Sequence, residues 1–158
     1  MPSPLETFFA QYAPQFQYDP LQAATEEFRR LVEVRGWGGR RMHMARDQFK
    51  DALVQQFNAS FGRDENSLTG WQALCEVIGI EPIPERVSEA KKIVKSTHVN
   101  LVDLTEARLT GTKPLIHPSL AALRRYTLNE ADLKIFSKKR AKNSGLLKYL
   151  LRPILHRN

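Results

Sequence analysis

The sequence predicts an all-α protein, built as a single compact bundle of six to eight helices with a basic C-terminal helical extension. Apolar residues recur with the helical period in one segment after another, and Gly or Pro residues separate these segments. No segment has the sustained alternation of apolar and polar residues that marks an exposed sheet. With 158 residues, 42% of them hydrophobic, the chain is long enough to bury one core.

The first two helices are predicted from their start signals. Ser3-Pro4-Leu5-Glu6 supplies a capping serine, a proline at the first helical position and a glutamate three residues after the cap. This pattern predicts a short helix that ends before Pro14. Asp19-Pro20-Leu21 repeats the pattern and predicts a second helix, with Leu21 on its apolar face and its end near Arg35.

The third helix is predicted to be the central one. Gly36-Trp37-Gly38-Gly39 interrupts the helical pattern, because three glycines in four residues lose too much backbone entropy in a helix. Apolar residues then keep the helical period from Met42 to Phe61. Gly62 follows, and glycine tolerates the left-handed conformation that often ends a helix.

The middle of the chain predicts two or three further helices. Three residues are candidate caps of a fourth helix: Asp64, Asn66 and Ser67. This helix ends at Gly79, a fifth begins at Pro84, and Asn100 can start a separate sixth. The pattern leaves open whether residues 84–110 form one helix or two, and residues 99–102 are also compatible with a short strand.

The last predicted helices lie in the basic part of the chain. His117-Pro118 can begin a short helix, and Thr127 or Asn129 can cap another that runs through Phe136. Residues 146–155 place leucines and an isoleucine at helical spacing, with basic residues on the flanks.

These elements divide the chain into two parts. Residues 1–136 are predicted to form a helical core domain. Residues 137–158 are predicted to form a basic segment and a C-terminal amphipathic helix that docks on that core, because a leucine stripe at the end of a small domain usually packs internally.

The charge is divided sharply along the chain. Residues 1–90 contain nine Lys and Arg against thirteen Asp and Glu, whereas residues 91–158 contain fifteen against four. The two parts therefore carry −4 and +11, which sum to the net charge of +7. An unbalanced basic block of this kind indicates contact with a polyanion or a membrane surface.

Eight cations are expected to bind the anionic partner. Six lie in the C-terminal block, and two follow the glycine-rich turn, where free N–H groups at a helix start add to their charge. They are Lys134, Lys138, Lys139, Arg140, Lys142 and Lys148 in the block, and Arg40 and Arg41 at the second site. Lys138-Lys139-Arg140-Ala141-Lys142 is also a pattern of the kind that nuclear import receptors read.

The sequence predicts a non-catalytic interaction module, an adaptor or scaffold whose basic C-terminal third contacts an acidic protein. Nucleic acid, bound along its phosphate backbone without strong base specificity, is the alternative partner, and an anionic membrane surface is a lesser one. We expect no catalytic residue, metal, cofactor or small-molecule substrate, because the four histidines are dispersed and Cys75 lies on an apolar helical face. The protein is expected to be intracellular, with the nucleus favoured over the cytoplasm.

Several motifs along the chain stand out together. They are Gly36-Trp37, Phe49-Lys-Asp-Ala-Leu53, Phe57-Asn58, Phe61-Gly62, Leu68-Thr-Gly-Trp71-Gln-Ala-Leu-Cys75, Ile78-Gly-Ile-Glu-Pro82 and His98-Val-Asn-Leu-Val-Asp-Leu104. Together they resemble a widespread set of small uncharacterised proteins of filamentous fungi, over about residues 8–154. The resemblance implies a fungal source and a domain that includes the C-terminal helix, and it implies no activity and no functional residue.

Overall fold

The computed structural model of the protein describes residues 1–129, 133–137 and 139–155, the last four of these by their backbone alone. Over these residues the fold is all-α, as predicted, with eight helices and one small antiparallel sheet. The helices are α1 (Pro4–Ala10), α2 (Ala24–Arg35), α3 (Gly39–Phe61), α4 (Leu68–Ile78), α5 (Val87–Ser96), α6 (Leu101–Thr110), α7 (Leu120–Leu128) and α8 (Gly145–Leu155). The strands are β1 (His98–Val99) and β2 (Ile116–His117), with His98 opposite His117.

Three of the predicted helix starts are confirmed by their capping hydrogen bonds. The Ser3 hydroxyl accepts from the amide of Glu6 at 3.2 Å, and Ser67 is the cap of α4. The side-chain oxygen of Asn100 accepts from the amides of Val102 and Asp103 at 2.9 and 3.1 Å. Since β1 separates α5 from α6, residues 84–110 form two helices rather than one.

The predicted start of the second helix is wrong. Asp19 uses its carboxylate to accept from the amide of Leu21 at 3.0 Å, which closes a turn, and α2 begins at Ala24. A short acidic side chain satisfies a nearby amide as well in a turn as at a helix cap, so the pattern alone cannot separate the two. Leu21, expected on the apolar face, is consequently 75% exposed.

Two later helices also begin after the predicted residue. α5 starts at Val87, and residues 84–86 precede it as a non-helical connector. His117 lies in β2 instead of beginning a helix, and the cap of α7 is Ser119, whose hydroxyl accepts from the amide of Ala122 at 3.1 Å. Pairing of His117 with His98 of β1 keeps His117 in an extended conformation, so the helix begins only after Ser119.

α3 is the axis of the fold, and its 23 residues make it about 34 Å long. α1 and α2 pack on its N-terminal part through aromatic rings. The centroid of Phe49 lies 5.5 Å from that of Phe8 and 4.6 Å from that of Phe28. Near its other end, Phe57 and Phe61 belong to the same buried cluster as Trp71 of α4.

The C-terminal third lies along α3. Residues 133–137 are not helical, so the helix expected through Phe136 does not form there. The Phe136 ring instead packs against Phe57 with centroids 6.0 Å apart. Further on, the amide of Leu146 donates to the carbonyl of Arg63 at 2.9 Å, just beyond the end of α3. The apolar face of α8 is buried in the core through Leu146, Leu147, Leu150 and Leu151.

Replacing Leu147 with Ala should lower the free energy of unfolding by about 2–5 kcal/mol, because the fully buried side chain leaves a cavity between α8 and the core. Urea denaturation measures this loss. Lys148→Ala, at the next and exposed position, is the matched control and should change stability by less than about 0.5 kcal/mol. Equal effects of the two substitutions would contradict the packing of α8.

Candidate anion-binding surface

Lys134 is buried, and its ammonium group is held inside the protein. It lies 2.8 Å from Asp103 Oδ1 and 2.6 Å from Glu106 Oε1, and it donates to the Thr25 hydroxyl at 3.0 Å. The side chain is only 8% exposed. Lys134 is therefore not available to an external anion, and this part of the expected site is corrected.

The carboxylate of Glu106 ties this ion pair into a larger buried network. Its second oxygen accepts from the amide and the hydroxyl of Thr25, each at 3.0 Å. The side-chain amide of Asn100 donates to the carbonyl of Lys134 at 2.9 Å and to the Thr127 hydroxyl at 3.0 Å. The network thus joins α2, α6 and α7 to the segment that begins at residue 133.

The charge state of Lys134 follows from two opposing effects. Burial lowers the pKa of the ammonium group, but the negative charges of Glu106 and Asp103 and their hydrogen bonds raise it more. The net result is a raised pKa, so Lys134 stays protonated. A raised pKa contributes stability that is fully present below the unfolded-state pKa, about 10.4, and is lost as the pH rises through the folded value.

Replacing Lys134 with Met should lower the free energy of unfolding by about 3–5 kcal/mol at pH 7, because the largely buried Asp103 and Glu106 carboxylates would lose their counterion. Urea denaturation measures the loss. Adding Asp103→Asn and Glu106→Gln to the variant should recover much of it. The deficit of the single variant should be constant from about pH 7 to pH 9 and shrink above about pH 10.

Arg140, a second expected ligand, is also engaged within the protein. Its guanidinium group donates to Asp51 Oδ1 at 2.7 Å, to Asp47 Oδ1 at 3.0 Å and to the carbonyl of Asp47 at 3.0 Å. Both carboxylates lie on the exposed side of α3, with side-chain exposures of 65% for Asp47 and 57% for Asp51. Exposed ion pairs are screened by water and salt, so this contact is weaker than that of Lys134.

Arg140→Gln is accordingly the comparison for Lys134→Met. It should lower the free energy of unfolding by less than about 1 kcal/mol, and this loss should be smaller still at roughly 1 M salt. If the two substitutions destabilised the protein equally, the buried network would not have the strength assigned to it.

The other expected cations are divided between distant places. Lys139, Lys142 and Lys148 are exposed, and none has a carboxylate partner in the described part of the chain. Lys138 lies outside the described residues.

Arg40 and Arg41 lie on the first turn of α3, at the opposite end of that helix from α8. The Arg41 guanidinium stacks over the Trp37 ring, 4.4 Å from its centroid. Lys148 is therefore at the opposite end of α3 from Arg40 and Arg41, whereas Arg140 of the C-terminal block contacts Asp47, six residues from Arg41.

Sequence reasoning missed a group of cations on α5. The ammonium nitrogens of Lys91 and Lys95 lie 4.8 and 5.0 Å from the centroid of the Tyr149 ring, and Lys95 donates to the Tyr149 hydroxyl at 3.3 Å. Lys92 and Lys148 are their exposed neighbours on the two helices. We call these four lysines and Tyr149 the Tyr149 lysine cluster.

The cluster had a partial signal in the sequence. Lys91, Lys92 and Lys95 stand at positions i, i+1 and i+4, so two of them share a helix face. What the sequence could not give is the packing of α8 beside α5, which places Tyr149 between them. The Tyr149 ring is fixed edge-on against the buried Trp71 ring, with centroids 5.7 Å apart and an interplanar angle of 89°.

A cavity of about 370 Å³ opens over the buried network, with Asp103, Glu106 and Lys134 in its lining and Lys113 and Tyr126 among its other residues. The two carboxylates pair with Lys134, and Lys113 brings the formal charges of the lining to balance. Within the described residues, no three His, Cys, Asp or Glu side chains are grouped so that they could hold a metal ion.

Cys75 is buried, as expected, and its burial raises the pKa of the thiol. No helix in the described ranges is long and apolar enough to cross a bilayer.

No protein-family model matches this sequence, and no curated protein and no solved structure is significantly similar to it. The resemblance to fungal proteins therefore stays a prediction.

Proposed function

We propose that the protein is a non-catalytic helical interaction module, an adaptor or scaffold, whose basic C-terminal third binds an acidic protein. The contact surface is the Tyr149 lysine cluster. The observation that carries the proposal is the meeting of the Lys91 and Lys95 ammonium groups at the Tyr149 ring, with the exposed Lys92 and Lys148 at adjacent sequence positions. None of the four lysines has a carboxylate partner among the described residues.

The positive charges of the cluster are not balanced by carboxylates of the described residues. Like charges at positions i and i+4 of a helix repel each other, and Lys91 and Lys95 have this spacing. An acidic partner that binds here offsets the repulsion between the lysines by attracting both of them. Such complementary charge raises the association rate and the specificity of binding. Lys134 and Arg140 provide no such gain, because their charges are already compensated inside the protein.

The alternative partner is nucleic acid bound through its phosphates. A duplex presents a continuous row of charges, and a protein that binds it without base contacts needs a continuous path of cations. Asp47 and Asp51 lie exposed on α3 between Arg41 at one end and Lys148 beyond the other. Two carboxylates share the single cation Arg140, so this stretch keeps about one net negative charge, which interrupts the path and favours a compact acidic protein segment.

Charge reversal tests the proposal. A twelve-residue Glu-rich peptide should bind the wild type, and Lys91→Glu combined with Lys95→Glu should weaken binding by at least about tenfold at 50 mM salt, because attraction becomes repulsion. Isothermal titration calorimetry measures both affinities. Arg40→Glu combined with Arg41→Glu makes the same charge change at the far end of α3 and should leave the affinity within about twofold.

Duplex DNA and vesicles containing phosphatidylserine are the competing probes. Tighter binding of the duplex, weakened equally by both double substitutions and lost between 50 and 200 mM salt, would establish the alternative. Binding to vesicles but not to the peptide would favour membrane attachment. The protein-partner proposal fails if the peptide does not bind at 50 mM salt.

We also propose nuclear localisation, on the basis of the Lys138–Lys142 pattern. Lys139 and Lys142 are exposed, whereas Ala141 is fully buried between them. A receptor that reads an extended basic segment must therefore release this turn. A fluorescent fusion of the chain should concentrate in the nucleus, and Lys139→Ala with Lys142→Ala should abolish this. An even distribution of the unsubstituted fusion would disprove the localisation.

A further inference from the structure

The Tyr149 lysine cluster brings the ammonium groups of Lys91 and Lys95 against the ring that carries the Tyr149 hydroxyl. Lys95 donates to the oxygen of the Tyr149 hydroxyl at 3.3 Å, which leaves the phenolic hydrogen free to donate elsewhere. Lys91 and Lys95 both place their ammonium nitrogens against the same ring, at 4.8 and 5.0 Å from its centroid. Two positive charges and a neutral O–H donor thus adjoin one another.

Within the part of the chain that the structure describes, no acidic side chain forms an ion pair with Lys91 or Lys95. Glu89 is the acidic residue in the first turn of α5, and no ion pair in the described part of the chain joins it to Lys91 or Lys95. A single carboxylate from outside would supply about one negative charge and two acceptor oxygens. A phosphomonoester supplies about 1.5–2 negative charges at pH 7 and three acceptor oxygens, which matches two ammonium groups and one hydroxyl.

The hydroxyl that completes the group is held in place by the core. Trp71, which is fully buried, supports the Tyr149 ring at an interplanar angle of 89°, and its indole N–H donates to the carbonyl of Glu65 at 2.7 Å. Donors on a rigid support lose less freedom when they bind, so their hydrogen bonds contribute more to affinity.

We infer that Lys91, Lys95 and Tyr149 form a binding site for a phosphomonoester, carried as a phosphorylated side chain by the acidic protein partner. This inference rests on the proposed function and names the chemistry that the partner presents. The two lysines neutralise the dianion, and the Tyr149 hydroxyl donates to one phosphate oxygen.

Three twelve-residue acidic peptides test the inference. They are identical except for a central phosphoserine, serine or glutamate. The phosphoserine peptide should bind the wild type about tenfold more tightly than the serine peptide, because only the phosphate presents about two negative charges and three acceptor oxygens to the two lysines and the hydroxyl. The glutamate peptide should stay within about threefold of the serine peptide.

Tyr149→Phe removes one hydroxyl and keeps the ring. It should weaken binding of the phosphoserine peptide about fivefold and change the affinity for the serine peptide by no more than about twofold. An unchanged thermal unfolding midpoint of the variant shows that the fold is kept. Lys92→Gln is the matched control, since it removes a charge from the same helix outside the ring contacts. It should weaken all three peptides by the same small factor.

The outcomes separate this inference from the proposed function. If all three peptides bind equally well, or Tyr149→Phe has no selective effect, the phosphate site is refuted and the acidic-partner proposal stands. If none of them binds, the proposed function fails as well. If duplex DNA at the same phosphate concentration displaces the phosphoserine peptide completely, the phosphates belong to nucleic acid, and the inference is overturned.

Discussion

The buried ammonium group of Lys134 determines how the last third of the chain lies on the rest. Asp103 and Glu106 are both on α6, so they require a counterion at one place, and the segment that supplies it is fixed there. Breaking such a pair leaves an uncompensated buried charge, which costs far more than a lost surface contact. With Lys134 in place, the following residues lie along α3, and α8 packs beside α5.

The basic residues that produce the division of charge along the sequence therefore have two structural roles. Part of this division is complementarity within the molecule, since Arg140 of the basic third pairs with Asp47 and Asp51 of the acidic part. The remainder is a surface excess that includes Lys91 and Lys95 at the Tyr149 ring and the exposed Lys139, Lys142 and Lys148. A count of charges along the chain cannot separate the two, because burial and pairing are properties of the fold.

Local signals in the sequence were sufficient to predict most of the helices. Ser3 and Asn100 begin helices because a short side chain with an oxygen acceptor precedes an apolar periodic segment. The same signal failed at Asp19, where the carboxylate closes a turn instead. Glycine was predicted to end α4, and Gly79 does so in a left-handed conformation with a φ of 95°.

The candidate site was harder to predict than the helices. Lys134 resembles any other lysine of a basic block, and its partners lie far away in sequence, with Thr25 separated from it by 109 residues. One sign was present: Asp103 and Glu106 are three residues apart on a helix that is otherwise mostly buried, so their carboxylates need a cation. Tyr149 had no such sign, because its role depends on two helices that meet only in the folded chain.

Hydrogen exchange of the wild-type protein tests the central claim most directly, that a buried charge fixes the C-terminal third as part of one cooperative structure. The amides of Leu146 and Lys148, hydrogen-bonded to Arg63 and Ser144, should exchange as slowly as those in the middle of α6, because both require global unfolding. Exchange of α8 within seconds while α6 remains protected would contradict this account.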